Sequence, residues 1–306
     1  MNVTIVGAGS IGLLIAAFSS KVGHKVTLIT NRESQAQILN EKGLIFKTNQ
    51  GTVEKYRIEA VAVKEIETIR TDCVIFAVKS YHLKQVLDRL SGSIQAKAVL
   101  FVQNGMSHIE CLSLFNHEEI GLAVVEHGAM RLEDNLVSHT GVGRINWSIF
   151  QGSKEDSVLP NFFSKSEDVN FPFYHKKDWQ KMLQTKLLVN VAINPLTALL
   201  QVKNGALLTN DSYYKLMSEI VRETVQVLGM NGKQGLEKVI EVCQATKENE
   251  SSMLRDRAKG QKTELEAIVG YVIRKANEQS QSVPSLFFLY EAIKGIEQQS
   301  FRGAGQ

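Results

Sequence analysis

The sequence predicts an α/β fold in two parts, a doubly wound parallel-sheet domain over residues 1–176 followed by an all-helical domain over residues 177–306. Three observations predict it. The first 30 or so residues read strand, glycine-rich turn, helix, strand. Two later hydrophobic runs, in "DCVIFAVKSYH" and "AVLFVQNGM", stop abruptly at polar residues, as buried parallel strands do at their carboxyl ends. From about Asp178 the strand signals vanish and apolar residues recur at helical spacing. With 306 residues, 43% hydrophobic and 22% charged, the chain can build a full core in each part.

Val3 to Val6 reads as a buried strand, followed at once by Gly7-Ala8-Gly9-Ser10-Ile11-Gly12 in the G-x-G-x-x-G spacing. An apolar helix pattern runs on from Ile11, and a second strand, Lys25 to Thr30, follows Gly23. In this setting the glycines signal a Rossmann-type dinucleotide site. They let the backbone approach a pyrophosphate, which then rests on the helix N-terminus. Without a ligand they would serve only as a tight turn with close helix packing. The end of the second strand selects the nucleotide. An acid there would bind the ribose 2′-hydroxyl of NAD, whereas this chain has Asn31 and Arg32. A guanidinium pairs with a 2′-phosphate, which favours NADP(H). The competing reading of Arg32 is an ordinary surface arginine, with Glu33 beside it.

The later strands end at Lys79 and Ser80, then at Gln103, Asn104 and Gly105. Ligands of open α/β sheets bind outside such ends, which makes Lys79 and Asn104 candidates; a loop charge and a simple turn are the alternatives. After about residue 120 the pattern becomes strand-like with short turns and includes His127 and His139, to which no catalytic role is assigned. Gln151 to Asp168 reads as a polar surface segment, and "NFPFYHKKDW" as a last strand.

The helical part predicts segments at Trp179–Leu200, Tyr213–Leu228, Gly235–Ala245, Glu264–Gln279 and Ser285–Gln298, with a frayed tail "SFRGAGQ". The first of these is apolar almost all round, yet Lys186, Asn190 and Asn194 interrupt it at intervals of four. Positions four apart share a helix face, so the three form a single file. A solvent stripe usually carries several long charged side chains, and two of these are short amides; a narrow polar face lining the cleft between the domains is preferred. Pro195 should kink or end that helix. Thr263 and Glu266 have capping-box spacing, which offers Glu264 a bland reading as a first-turn acid. Ser251 and Ser252, in "ENESSMLRD", have a similar bland reading as helix caps.

Several function classes fall away. The formal charge is +3 without a dense basic–aromatic cluster, which speaks against nucleic acid. No apolar run is expected to reach the length of a membrane span, and a strand starting at Asn2 leaves no room for a signal peptide, so a cytoplasmic protein is expected. Cys73, Cys111 and Cys243 have neither disulfide-framework nor metal-ligand spacing, and no metal is expected.

Taken together, "GAGSIG", "AVKSYH", "VQNGM", "HTGVG", "KLLVNVAINPLTALLQVKNG", "SSMLRD" and "KTE" resemble the ketopantoate reductases over nearly the whole chain. The resemblance implies NADPH-dependent reduction of 2-dehydropantoate to (R)-pantoate, on the way to pantothenate and coenzyme A. It implies Lys186 as general acid with Glu264 beside it at the reacting centre. Asn190, Asn194 and Asn104 would contact the substrate, Ser252 its carboxylate, and Lys79 and Asn104 the cofactor. Arg32 would meet the 2′-phosphate. Two other readings stay open: a reductase of another branched 2-oxo acid, and a non-catalytic NADP(H)-binding regulator. A homodimer through the helical domain is the assembly considered.

Overall fold

In the computed structural model, which describes residues 1–112, 115, 117–153, 157–164 and 171–303, the chain divides into two compact units. Unit 1 is Met1–Gln103 with Cys111–Met182; unit 2 is Asn104–Glu110 with Leu183–Gln306. The division expected after residue 176 thus falls after Met182, and the stretch Asn104–Glu110 groups with the helices.

Through residue 175 the elements are β1 (Asn2–Val6), α1 (Ser10–Lys21), β2 (Lys25–Thr30), α2 (Glu33–Lys42), β3 (Leu44–Lys47), β4 (Val53–Tyr56) and β5 (Glu59–Ala62). They continue with β6 (Ile69–Phe76), α3 (Ser80–Leu90), β7 (Ile94–Phe101), α4 (His108–Leu112), β8 (Ile120–Val125), β9 (Gly128–Glu133), β10 (Leu136–Gly141), β11 (Ile145–Gln151), α5 (Leu159–Phe163) and β12 (Phe173–His175). The main sheet runs β12-β11-β8-β7-β6-β1-β2-β5. Its strands from β5 to β8 are parallel, while β11 is antiparallel to β8. Strand order reverses between β1 and β6, the switch point beside which doubly wound sheets bind nucleotides.

A second sheet, ordered β4-β3-β10-β9, covers α1 on the side away from the first. This explains why Gly12 to Ser19 are buried on every face of α1 rather than on one. Between α1 and the second sheet Phe18 stacks on Phe171, with ring centroids 3.6 Å apart, and His127 stacks on Phe171 at 4.1 Å. His127 Nδ1 lies 3.1 Å from His139 Nε2 and accepts from the Gly143 N–H at 3.1 Å. The two histidines are therefore packing groups, and burial with His139 alongside lowers the pKa of His127 to about 3. The expected polar segment Gln151–Asp168 is corrected in part. Residues 154–156 and 165–168 lie outside the described ones, but Leu159, Phe162 and Phe163 of α5 are buried against the core, because their spacing puts them on one helical face.

The remaining elements are α6 (Trp179–Leu200), which enters unit 2 at Leu183, and then, within unit 2, α7 (Ala206–Thr209), α8 (Asp211–Leu228), α9 (Gly232–Ala245), α10 (Ser252–Ala258), a π turn (Glu266–Gly270), α11 (Tyr271–Glu278) and α12 (Pro284–Gly303). The predicted tail from Ser300 overlaps the end of α12, and residues 304–306 lie outside the described ones. Helix ends carry their own signals. Asn210 caps α8 by accepting from the Ser212 and Tyr213 N–H groups, and Gly229 ends it at φ 65°. The buried Glu223 carboxylate accepts from the Ser285 and Leu286 N–H groups at the start of α12.

Pro195 neither ends nor interrupts α6, which runs on to Leu200. Leu187 to Ala198 are all buried, so packing outweighs the missing proline N–H. The Arg257 guanidinium donates to the Ala198 and Leu199 carbonyls and caps the far end. By length and composition α6 would suffice to cross a membrane, contrary to expectation, but 72% of its most apolar window is buried inside the protein, as in a core helix.

Candidate active site

Unit 1 carries a nucleotide cradle. Gly7 follows β1 at φ 110°, a conformation L side chains rarely adopt. A Cβ on Gly12 would lie 1.8 Å from the Gly7 carbonyl oxygen, so only glycine lets α1 start this close to the turn. A Cβ on Gly9 would meet nothing within 4 Å. The loop therefore has one glycine for its turn, one for packing, and a middle one beside open space, the division of labour a pyrophosphate site requires. Ala8 is buried, while the N–H groups of Ser10, Ile11 and Gly12 open α1, where no carbonyl of the helix can reach them. No acid occupies that first turn. Ser10 Oγ accepts from the Arg131 N–H at 3.0 Å, which leaves its own O–H to donate. The residues present fit a dinucleotide.

At the end of β2, Arg32 occupies the position before α2 without a side-chain bond to its N–H groups and pairs instead with Asp134, while Glu33 is taken up by Lys64. Glu33 thus does not neutralise its neighbour. Lys79 lies at the junction of β6 and α3. Sequence reasoning missed Arg131 and Asp134, which come from the β9–β10 hairpin far along the chain. No local pattern marks them.

Unit 2 gathers the second set. Lys186, Asn190 and Asn194 lie on successive turns of α6, about 6 Å apart along its axis. Lys186 is half-buried, and both asparagines are buried. Asn194 Nδ2 donates to Ser252 Oγ at 3.5 Å. The adjacent Ser251 is the cap of α10, accepting from the Leu254 N–H at 3.1 Å and from Thr197 Oγ1 at 2.7 Å. The structure so separates the two serines: Ser251 ties α10 to α6, and Ser252 faces the asparagine file.

Asn104 Nδ2 donates to Glu264 Oε2 at 3.0 Å, across 160 positions of sequence. The Met106 N–H reaches the Ala267 carbonyl at 3.2 Å and fixes that pairing. Glu264 is 6% exposed and precedes the π turn, whose Ala267 and Ile268 N–H groups bond its carbonyl. The expected capping box is absent. Glu266 instead accepts from the Tyr290 hydroxyl and lies 3.7 Å from Arg274, because the wide turn carries it away from Thr263. π turns within helices recur at functional positions, and Glu264 stands just before one.

Residues 3–152 match the family model described as "Ketopantoate reductase PanE/ApbA", and residues 178–297 match "Ketopantoate reductase PanE/ApbA C terminal". The chain belongs to the ketopantoate reductase family. The family's oxidoreductase class and its Rossmann-type domain agree with the cradle and topology described above. A 2-dehydropantoate 2-reductase of Bacillus subtilis (strain 168) is 39% identical over 300 residues, 97% of this chain and 98% of that protein. The crystal structure of a probable 2-dehydropantoate 2-reductase from Bacillus subtilis superposes with a TM-score of 0.87 at 38% identity, covering 97% of this chain and 100% of that one. A D-mandelate dehydrogenase in a ternary structure with NADH and anilino(oxo)acetate reaches a TM-score of 0.90 at 22% identity, covering 98% and 99%, a likeness of fold alone.

Proposed function

We propose that the chain reduces 2-dehydropantoate to (R)-pantoate with NADPH, using Lys186 as the proton donor. NADPH, when bound, supplies the hydride to the ketone carbon. The glycine loop and the N-terminus of α1 hold the pyrophosphate, with Arg32 at the 2′-phosphate and Lys79 and Asn104 nearby. Lys186 Nζ stabilises the charge that develops on the ketone oxygen and then gives it a proton. Asn190 and Asn194 orient polar substrate groups without adding charge, and the Ser252 hydroxyl donates to the carboxylate. Glu264, held by Asn104, faces the reacting centre as a fixed carboxylate.

The observation that carries this reading is the polar file on an otherwise buried helix, with Ser252 bonded to its last member. A regulator without turnover has no use for a proton donor in that file. The test is NADPH oxidation followed at 340 nm with a panel of 2-oxo acids. The expected result is far higher kcat/KM for 2-dehydropantoate than for pyruvate or 2-oxoisovalerate. A better rate with either of those would assign the chain to another branched 2-oxo acid, and no oxidation with any would favour the regulator.

A further inference from the structure

Two guanidinium groups converge on one carboxylate in unit 1. Arg32 pairs with Asp134, and Arg131 lies 3.9 Å from the same carboxylate oxygen. The hairpin that supplies Arg131 and Asp134 is fastened to the glycine loop. The Arg131 N–H donates to Ser10 Oγ at 3.0 Å, and its guanidinium approaches the Ala8 carbonyl at 3.5 Å. Gln35 Nε2 bridges the Ala8 and Asp134 carbonyls, at 2.9 Å from each. Two cations and one anion therefore leave a net positive charge beside the nucleotide cradle.

We propose that Arg131 and Asp134 set how strongly the chain discriminates a 2′-phosphate from a 2′-hydroxyl. Arg131 is a second cation for the phosphate. Asp134 is the counter-ion that holds both guanidinium groups in place and yields them when the phosphate arrives. This rests on the NADPH reading above. A phosphate monoester carries nearly two negative charges at neutral pH and accepts bidentate pairs from arginine, so it can replace one carboxylate on both groups. A ribose hydroxyl cannot. The side chains of Arg32, Arg131 and Asp134 are 51%, 38% and 24% exposed, and ion pairs at such sites are weak enough to exchange. The Asp134 charge also repels the incoming phosphate, so it limits affinity while keeping the site assembled.

Calorimetric titration of the full-length protein with 2′,5′-ADP and with 5′-AMP isolates the effect, since these ligands differ by the 2′-phosphate alone. Asp134→Asn is expected to tighten 2′,5′-ADP binding by about two- to tenfold and leave 5′-AMP unchanged. Arg131→Ala is expected to weaken 2′,5′-ADP by about tenfold, again without effect on 5′-AMP. Asp134→Glu keeps the charge and should stay near the unmutated ratio. An Asp134→Asn protein that binds 2′,5′-ADP no tighter, or that shifts both ligands alike, overturns the proposal, as does an unchanged ratio in Arg131→Ala. If Asp134→Asn does not fold, the Arg131→Ala ratio decides alone. Unmutated protein with no preference for 2′,5′-ADP would instead sink the NADPH reading, and this inference with it.

Discussion

Alanine at Gly9 and alanine at Gly12 should fail in opposite ways, though they stand three positions apart in one loop. At Gly12 the new methyl would lie 1.8 Å from the Gly7 carbonyl oxygen and 3.0 Å from its carbon, both backbone atoms. Neither can swing aside, so α1 must move off the turn, and α1 is clamped between two sheets. Overpacking of that kind costs about 3 kcal/mol or more, which for a domain of this size lowers Tm by roughly 6–12 °C. At Gly9 the backbone is extended, with φ −85° and ψ −169°, and a methyl meets nothing within 4 Å. Replacing glycine at a compatible conformation stabilises by about 0.4–1 kcal/mol through the unfolded chain. The same methyl would point into the space kept for the pyrophosphate, so NADPH affinity should fall at least about tenfold, or 1.4 kcal/mol. Differential scanning calorimetry and fluorescence titration with NADPH read the two effects. Normal NADPH affinity in Gly9→Ala, or an unchanged Tm in Gly12→Ala, would refute the reasoning.

Two further outcomes follow from other parts of the structure. Glu264→Gln can still accept from Asn104, so a merely structural acid at a helix start would cost only about 0.3–1 kcal/mol of stability with turnover intact; a fall in kcat of about tenfold or more at nearly unchanged Tm is expected instead. His127 resists its proton in the folded protein, at about 3 against an ordinary 6.5, while the unfolded chain accepts it. Stability from this group is therefore complete above pH 6.5 and is lost as pH falls toward 3, with about 2 kcal/mol gone by pH 5. His127→Asn keeps an acceptor for the Gly143 N–H but cannot titrate, so denaturant unfolding at pH 7 and pH 5 should differ less in the variant; an equal difference would remove His127 as the cause.

The glycine loop, the parallel strands and α6 were legible because each is a local pattern: a fixed glycine spacing, an apolar run ending in polar residues, a period of four. The second sheet was not. Its strands β3 and β4 are only four residues each, and Glu54 and Lys55 interrupt β4, so no long apolar run marks them. Pro195 signalled a helix end that burial on every side of α6 overrides. Thr263 and Glu266 had the spacing of a capping box, but a π turn changes which residues face back. The Asn104–Glu264 bond and the Arg131–Asp134 hairpin depend on tertiary pairing across the chain, which no window of sequence displays. Lys186, Asn190, Asn194 and Ser252 are candidates from the sequence alone; the structure adds the Asn194–Ser252 bond and gives the capping role to Ser251.

Proton donation by Lys186 is the central claim, and steady-state kinetics of Lys186→Ala with NADPH and 2-dehydropantoate test it most directly. General acid catalysis contributes about 10²- to 10⁴-fold, so kcat should fall on that scale. NADPH affinity, measured by fluorescence titration of the same preparation, should stay at the unmutated value, because the proposed cofactor contacts are the glycine loop and Arg32. The unmutated enzyme should also lose rate in the alkaline range as the ammonium gives up its proton, and the variant should lack that limb. A variant with near-normal kcat, or with the alkaline limb intact, would contradict the account.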